Sequence, residues 1–144
     1  EHAAYALHIH KHPDLGEVWL NRHEGKDGMK AVKKEFRISN IRETLRKKNQ
    51  KTDDVFSELY QRAIDFGGHP NERAIMGSLA IIEQEDRKEF QTNYLHGDGV
   101  MLDHALKTTA QTGVCVLEIL QEVFSARFEL LGIRAELLTL RKGL

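Results

Sequence analysis

The stretch from Val100 to Leu131, VMLDHALKTTAQTGVCVLEILQEVFSARFELL, decides the fold class. Its apolar residues recur at spacings of three and four, which is the period of one face of an α-helix. They are Leu102, Ala105, Leu106, Val116, Leu117, Leu120, Val123, Phe124, Phe128 and Leu131. The pattern predicts one long C-terminal helix over much of this range. Gly113 either lets another helix approach closely or breaks the helix locally.

Two short helices are predicted at the start of the chain, at about residues 1–11 and 15–22, with Pro13 between them. Gly25 and Gly28 then predict a loop. The candidate core residues are Ala3, Ala4, Tyr5, Leu7, Leu15, Val18 and Trp19. The chain opens on EHAAYAL, which is typical of a helix interior and offers no capping residue. We therefore expect native residues to precede it.

Three further amphipathic helices are predicted between Met29 and Ile64. Ser39–Asn40 is predicted to cap the second of them, and Thr52–Asp54 to begin the third, with acids near the positive end of the helix dipole. The third helix is predicted to stop at Gly67–Gly68. The apolar residues at helical spacing are Met29, Val32, Phe36, Ile41, Leu45, Val55, Phe56, Leu59, Tyr60, Ala63 and Ile64.

The segment from Ala74 to Leu95 fits two structures. Its residues alternate in polarity on either side of the charged run Glu83–Arg87, which favours a β-hairpin. Asn71 could instead cap a helix that runs through Ile82. With the hairpin favoured, the chain is predicted to be mainly α, a helical bundle with a long C-terminal helix and a small β-hairpin.

Composition limits the class of protein. The 144 residues suit a single domain spanning residues 1–144, and 21 basic against 22 acidic side chains leave no global field that would attract nucleic acid or lipid. Cys115 is the one cysteine, which fits a reducing compartment, and between Val114 and Val116 it is predicted to be a buried, inert thiol. The charges inside the most apolar stretch argue against a membrane span. We therefore expect a cytoplasmic location and no membrane partner.

Eight histidines raise the question of a metal site. His8 and His12 are four residues apart and could share one helix face, but they supply only two ligands. The alternative is that they are polar side chains on an exposed helix end. No HExxH or CxxC spacing occurs, so neither a metal nor a cofactor is predicted.

Two polar loops contain the candidate catalytic residues. The first is GGHPNER, which carries His69 and Arg73, and the second is HGDG, which carries His96 and Asp98. Helix caps and glycine turns would explain both loops structurally. If the fold brings the loops together, the two histidines could act as acid and base, with Arg73 and Asp98 stabilising phosphate charge.

A basic stretch runs from Lys30 to Lys51, with nine basic side chains against Glu35 and Glu43. It could follow a phosphate backbone, or it could be a solvated helix face. Phe36 is the one aromatic residue within it and is assigned to the core, so base stacking is unsupported. The candidate nucleic-acid-binding residues are Lys33, Lys34, Arg37, Arg46, Lys47 and Lys48.

Four segments together resemble uncharacterised bacterial helical proteins of the broad HEPN-like kind. They are WLNR at 19–22, DFGGHPN at 65–71, YLHGD at 94–98 and FELLGI at 128–133. The resemblance implies a helical bundle, commonly dimeric, found in toxin and abortive-infection systems. Active members are metal-independent RNases with an Arg and a His in one motif. Tyr94–Gly97 is similar to the end of that motif, but Arg87 does not lie at the motif's usual distance from His96.

Three functions follow as hypotheses. The first is a regulatory or protein-interaction domain, in a bacterial stress or defence system, that forms a homodimer through the long C-terminal helix. The second is a metal-independent RNase or other hydrolase that uses His69 and His96. The third is nucleic-acid binding through residues 30–51.

Overall fold

A computed structural model describes residues 1–66, 72–92 and 97–143 of the chain, with residues 73 and 74 described by their backbone alone. Nine α-helices and one two-stranded sheet lie within these ranges. The helices are α1 (His2–Lys11), α2 (Leu15–Leu20), α3 (Gly25–Glu35), α4 (Ile38–Lys48), α5 (Gln50–Phe66), α6 (Glu72–Ser78), α7 (Val100–Val123), α8 (Ser125–Leu130) and α9 (Ile133–Leu140). The strands are β1 (Leu79–Glu83) and β2 (Lys88–Thr92), and a 3₁₀ turn occupies Arg141–Gly143. The predicted mainly α fold, with its long C-terminal helix and small hairpin, is confirmed.

The residues group into two compact units. The first contains Glu1–Ser57 and Thr112–Leu144, and the second contains Glu58–Gln111. Helices α5 and α7 each begin in one unit and end in the other.

The core of the first unit forms where α1 packs on α4. Leu7 from α1 and Ile41 and Leu45 from α4 are almost completely buried, and Ala4 allows the two helices to approach closely. Burying each of these large side chains stabilises the fold by about 1.5–3 kcal/mol relative to leaving it exposed. An aromatic cluster extends this core, in which the rings of Trp19 and Phe36 lie 5.1 Å apart.

The corner between α2 and α3 differs from the prediction. Gly25 and Gly28 were predicted to form a loop, but α3 begins at Gly25, whose φ of 70° is left-handed backbone that glycine adopts readily. Gly28 lies inside α3, where a Cβ atom would be 2.4 Å from the backbone oxygen of Asn21. Glycine at this position therefore allows close contact between the two helices.

Asn40 caps a different helix from the predicted one. Helix α4 begins at Ile38, and its N-cap residue is Arg37 without a side-chain hydrogen bond, so the predicted cap at Ser39–Asn40 is wrong. The Asn40 Nδ2 instead donates to the backbone oxygens of Lys34 and Glu35, each at 3.1 Å. It satisfies carbonyl groups left free at the end of α3.

Helix α5 also begins earlier than the predicted Thr52. The Asn49 side-chain oxygen accepts hydrogen bonds from the backbone N–H groups of Lys51, at 3.0 Å, and Thr52, at 3.4 Å. Asn49 therefore caps α5, whose start was predicted at Thr52–Asp54.

Residues 72–92 combine both structures that the sequence allowed. A short helix, α6, precedes the hairpin, so Ile75 and Gly77, which were predicted to lie in a strand, are helical. Strands β1 and β2 are antiparallel, and Ile81 lies opposite Phe90. The favoured hairpin is confirmed, with a shorter first strand.

The C-terminal helix was predicted to cover much of Val100–Leu131, and α7 covers Val100–Val123. Gly113 is in its interior without a break, and the interruption instead falls at Phe124. Gly132, with φ of 70°, then separates α8 from α9. None of the described helices is both long enough and apolar enough to cross a membrane.

Candidate functional site

The predicted catalytic residues are only partly described. His69 and His96 lie outside the described residues, and Arg73 lies in α6 with its side chain undescribed. Asp98 is exposed in the bend that precedes α7. The proposed meeting of the two histidine loops therefore stays a prediction.

His8 is buried, so the expectation that it lies on an exposed helix end is wrong. Its Nδ1 lies 2.7 Å from Oγ1 of Thr44, which joins α1 to α4. The Thr44 hydroxyl also lies 3.2 Å from the backbone oxygen of Asn40, so it links His8 to the backbone of α4. The His8 and His12 rings lie 5.1 Å apart edge to face. His8 is a structural hydrogen-bonding group between two helices.

Burial lowers the pKa of His8 below its ordinary value because it disfavours the imidazolium ion. Electrostatic interaction with His12 acts in the same direction, while the carbonyl and carboxylate of Glu35 oppose it with smaller effect. His8 is thus favoured in its neutral form in the folded protein.

We expect the free energy of unfolding to fall as the pH is lowered below about 6.5, where the unfolded chain begins to protonate His8. Between about pH 6.5 and the lowered pKa of folded His8, the unfolded state binds more protons than the folded state. The stability that neutral His8 contributes is therefore complete above about pH 6.5 and is lost as the pH falls through this range. Urea unfolding at about pH 7.5 and pH 5 measures the difference, which should shrink in His8→Gln. His10→Gln, at an exposed neighbouring position, should keep the wild-type difference. An unchanged pH dependence in His8→Gln would contradict the assignment.

No metal centre occurs among the described residues, since no group of three histidine, cysteine or acidic side chains converges there. The thiol of Cys115 is buried as predicted, and this burial, with the nearby charge of Glu118, raises its pKa to about 11. A protonated, buried thiol is a poor nucleophile and a poor metal ligand.

Most of the candidate nucleic-acid-binding residues have acidic neighbours. Lys34 lies 3.2 Å from Glu35, Lys47 lies 2.7 Å from Glu43, and Lys48 lies 2.9 Å from Glu122. The hydrogen bond from Lys47 also lowers the pKa of Glu43. Two of the six candidates, Lys33 and Arg37, are exposed without an ion pair among the described residues. Four of the six candidates, with Arg46 described below, therefore have an acidic partner within the protein.

Arg46, the sixth candidate, belongs to a clamp around Asp53, whose side chain is completely buried. Arg42 binds Asp53 in bidentate fashion, with Nε 3.0 Å from Oδ1 and Nη2 3.2 Å from Oδ2. Arg46 adds two longer contacts of 3.3 Å to Oδ2. The hydrogen bonds between Arg42 and Asp53 raise the pKa of Arg42, and the contacts of both arginines join α4 to α5. From the sequence, Asp53 was predicted to be an ordinary acid in the first turn of a helix. Its contacts with Arg46 give that arginine a structural role.

A polar cleft of about 360 Å³ is lined by residues of α5, α7 and α9. Nε of Arg141 is 2.9 Å from Oε1 of Glu118, but the N–H is not directed at that buried oxygen, so the contact is an ion pair without a hydrogen bond. Arg134, also in the lining, lies 3.4 Å from Glu129. Four charged residues of its lining, Glu118, Glu122, Arg134 and Arg141, therefore have oppositely charged partners within the chain.

The C-terminal helices α8 and α9 expose several large apolar side chains. Each buries one residue, Phe128 in α8 and Leu137 in α9. Leu130 is 86% exposed and Leu131 is 70% exposed. The other large apolar side chains exposed in this part of the chain are Phe124, Leu138 and Leu140. Exposed apolar surface of this kind marks sites of protein contact.

Charges of both signs accompany these apolar residues. They are Arg127, Glu129, Arg134 and Glu136. A surface with apolar residues and both charge signs can match a copy of itself across a two-fold axis. Comparisons with protein-family models, curated proteins and solved structures found no match to this chain.

Proposed function

We propose that this chain is a protein-interaction domain that forms a homodimer through the surface of α8 and α9. The observation that carries the proposal is the exposure of Leu130 and Leu131 beside helices that each bury one residue. Contact with a second copy would remove these leucines from water at a gain of about 25 cal/mol per Å² of apolar surface.

A second copy is the partner that fits this surface best. The surface presents acidic and basic side chains together, so a two-fold arrangement can place Arg127 of one copy near Glu136 of the other. The net charge of −1 adds little repulsion between two copies.

The test replaces Leu130 and Leu131 with Lys in one double variant. Lysine near the end of a helix interacts favourably with the helix dipole, so the monomer should keep its fold. We expect the wild-type chain to self-associate through this surface at micromolar concentration. The variant should self-associate more weakly, with a Kd raised by about tenfold or more. Analytical ultracentrifugation measures both, and far-ultraviolet circular dichroism checks the helix content.

Leu20→Lys is the matched control. Leu20 is 73% exposed at the end of α2, so the control makes the same change at another helix end. It should leave the dimer intact. A wild-type chain that stays monomeric at about 100 µM, or a control that dissociates equally, would overturn the proposal.

The bacterial HEPN-like relationship, a role in stress or defence, and a cytoplasmic location remain predictions from the sequence. The same holds for RNase or other hydrolase activity of His69 and His96, and for nucleic-acid binding by residues 30–51. The dimer through α8 and α9 depends on none of them.

A further inference from the structure

The β-hairpin leaves its outer edges open. Each strand pairs with the other along one side, and no further backbone hydrogen bond reaches either strand from the described residues. Edges of this kind are usually guarded by charges, proline or a bulge. Here Lys88 lies 2.6 Å from Glu83 and Arg87 lies 2.9 Å from Glu89, so charges that could repel another strand are already paired within the hairpin.

The faces of the hairpin are also open. Ile81 and Phe90 are opposite each other on one face and are 52% and 66% exposed, and Ile82 on the other face is 40% exposed. An isolated two-stranded hairpin is marginally stable in water, and additional strands supply the missing contacts. Counting only the residues that the structure describes, the hairpin thus combines outer-edge backbone groups that have no hydrogen bond with exposed apolar side chains.

We infer that β2 pairs antiparallel with β2 of a second copy, so that two hairpins form one four-stranded sheet with the two Phe90 side chains opposite each other. A two-fold axis at Phe90 places Lys88 opposite Thr92 and Glu89 opposite Gln91 of the other copy. No like charges face each other in this register, and the central aromatic pair is a favourable cross-strand contact.

Other pairings are less favourable. An axis at Glu89 would place two glutamates directly opposite each other. Pairing of β1 with itself around Ile81 would place Glu83 opposite the apolar Leu79. The KEFQT sequence of β2 is therefore self-complementary in the register centred on Phe90, which is the register that pairs the two aromatic rings, and a second copy is the partner that fits it. This pairing goes beyond the proposed function because it uses a surface other than α8 and α9.

Disulfide cross-linking tests the register. In an antiparallel pair, opposite residues have Cα atoms about 4.5–5.5 Å apart, within the range that a disulfide spans. Phe90→Cys should therefore form an intermolecular disulfide under mild oxidation several times faster than Ile82→Cys, an exposed control on the other strand. The native Cys115 is buried and contributes little background.

The cross-linking is done in the chain that also carries Leu130→Lys and Leu131→Lys, so that α8 and α9 do not bring the copies together. Faster cross-linking at Phe90→Cys than at Ile82→Cys supports the hairpin pairing, whether or not the helical dimer exists. Equal rates, or no covalent dimer, overturn it.

A second measurement avoids cysteine. Phe90→Lys places like charges opposite each other at the proposed axis, and in the same background it should leave a monomer by sedimentation, whereas Ile82→Lys should retain association. An association that Phe90→Lys does not weaken would contradict the pairing. Failure of the dimer through α8 and α9 is judged separately, by the effect of the leucine substitutions on the otherwise wild-type chain.

Discussion

Asp53→Ala is expected to lower the free energy of unfolding by about 2–3 kcal/mol, because it removes the buried partner of two arginines. Asp53 accepts the bidentate contact from Arg42 and the weaker contacts from Arg46. Both guanidinium groups are partly exposed and can regain water when the carboxylate is lost. The cost should therefore fall below that of breaking a fully buried pair, which is about 3–5 kcal/mol. Urea unfolding followed by circular dichroism measures it.

Asp54→Ala is the matched control, since Asp54 is the neighbouring acid on the same turn and is exposed. Its effect should stay within about 0.5 kcal/mol. The geometry also predicts an order for the arginines, with Arg42→Met more destabilising than Arg46→Met because the Arg42 contacts are shorter and engage both oxygens. Equal effects of Asp53→Ala and Asp54→Ala would show that the clamp does not stabilise the fold.

Gly28→Ala is expected to destabilise the protein by about 1–3 kcal/mol although alanine favours helices. The added Cβ would lie 2.4 Å from the backbone oxygen of Asn21, and a backbone atom cannot move aside as a flexible side chain can. The α2–α3 corner must therefore open to accommodate it. Thermal and urea unfolding of the variant measure the loss.

Gly113→Ala is expected to have the opposite effect on the free energy of unfolding. Gly113 lies in the interior of α7 with no heavy atom within 4 Å of an added Cβ, apart from its chain neighbours and the backbone of its own helix. The substitution should stabilise the protein by about 0.5–1 kcal/mol. If both substitutions change the free energy of unfolding in the same direction, the close approach of Gly28 to Asn21 does not determine the effect of Gly28→Ala.

Local sequence patterns predicted the type of most elements. The apolar period after Val100 predicted α7, and the alternation around Phe90 predicted the hairpin, because both signals depend on residues close in sequence. Helix ends were predicted less well. Asparagine is a residue type typical of N-caps, yet the Asn40 side chain binds the end of the preceding helix, α3. Which helix it caps depends on how α3 and α4 meet, and the local sequence does not show this.

Long-range contacts explain the remaining differences. His8 was expected to lie on an exposed helix end before Pro13, but it is buried and hydrogen-bonded to Thr44, 36 residues away. Asp53 was predicted only as an acid in the first turn of a helix, because the sequence does not show that Arg42 and Arg46 lie across from it. A pair of arginines four residues apart near an acidic helix start is the signal that could have suggested the clamp. For His69 and His96 the prediction is neither confirmed nor contradicted.

Because Cys115 is buried, the rate at which its native thiol is labelled reports how often α7 opens. A thiol reagent can modify this single cysteine only when the surrounding structure opens and the sulfur becomes accessible. The labelling rate, compared with that of an unfolded peptide, therefore gives the free energy of that opening without any substitution. Addition of small amounts of urea then shows whether α7 opens locally or only when the whole first unit unfolds.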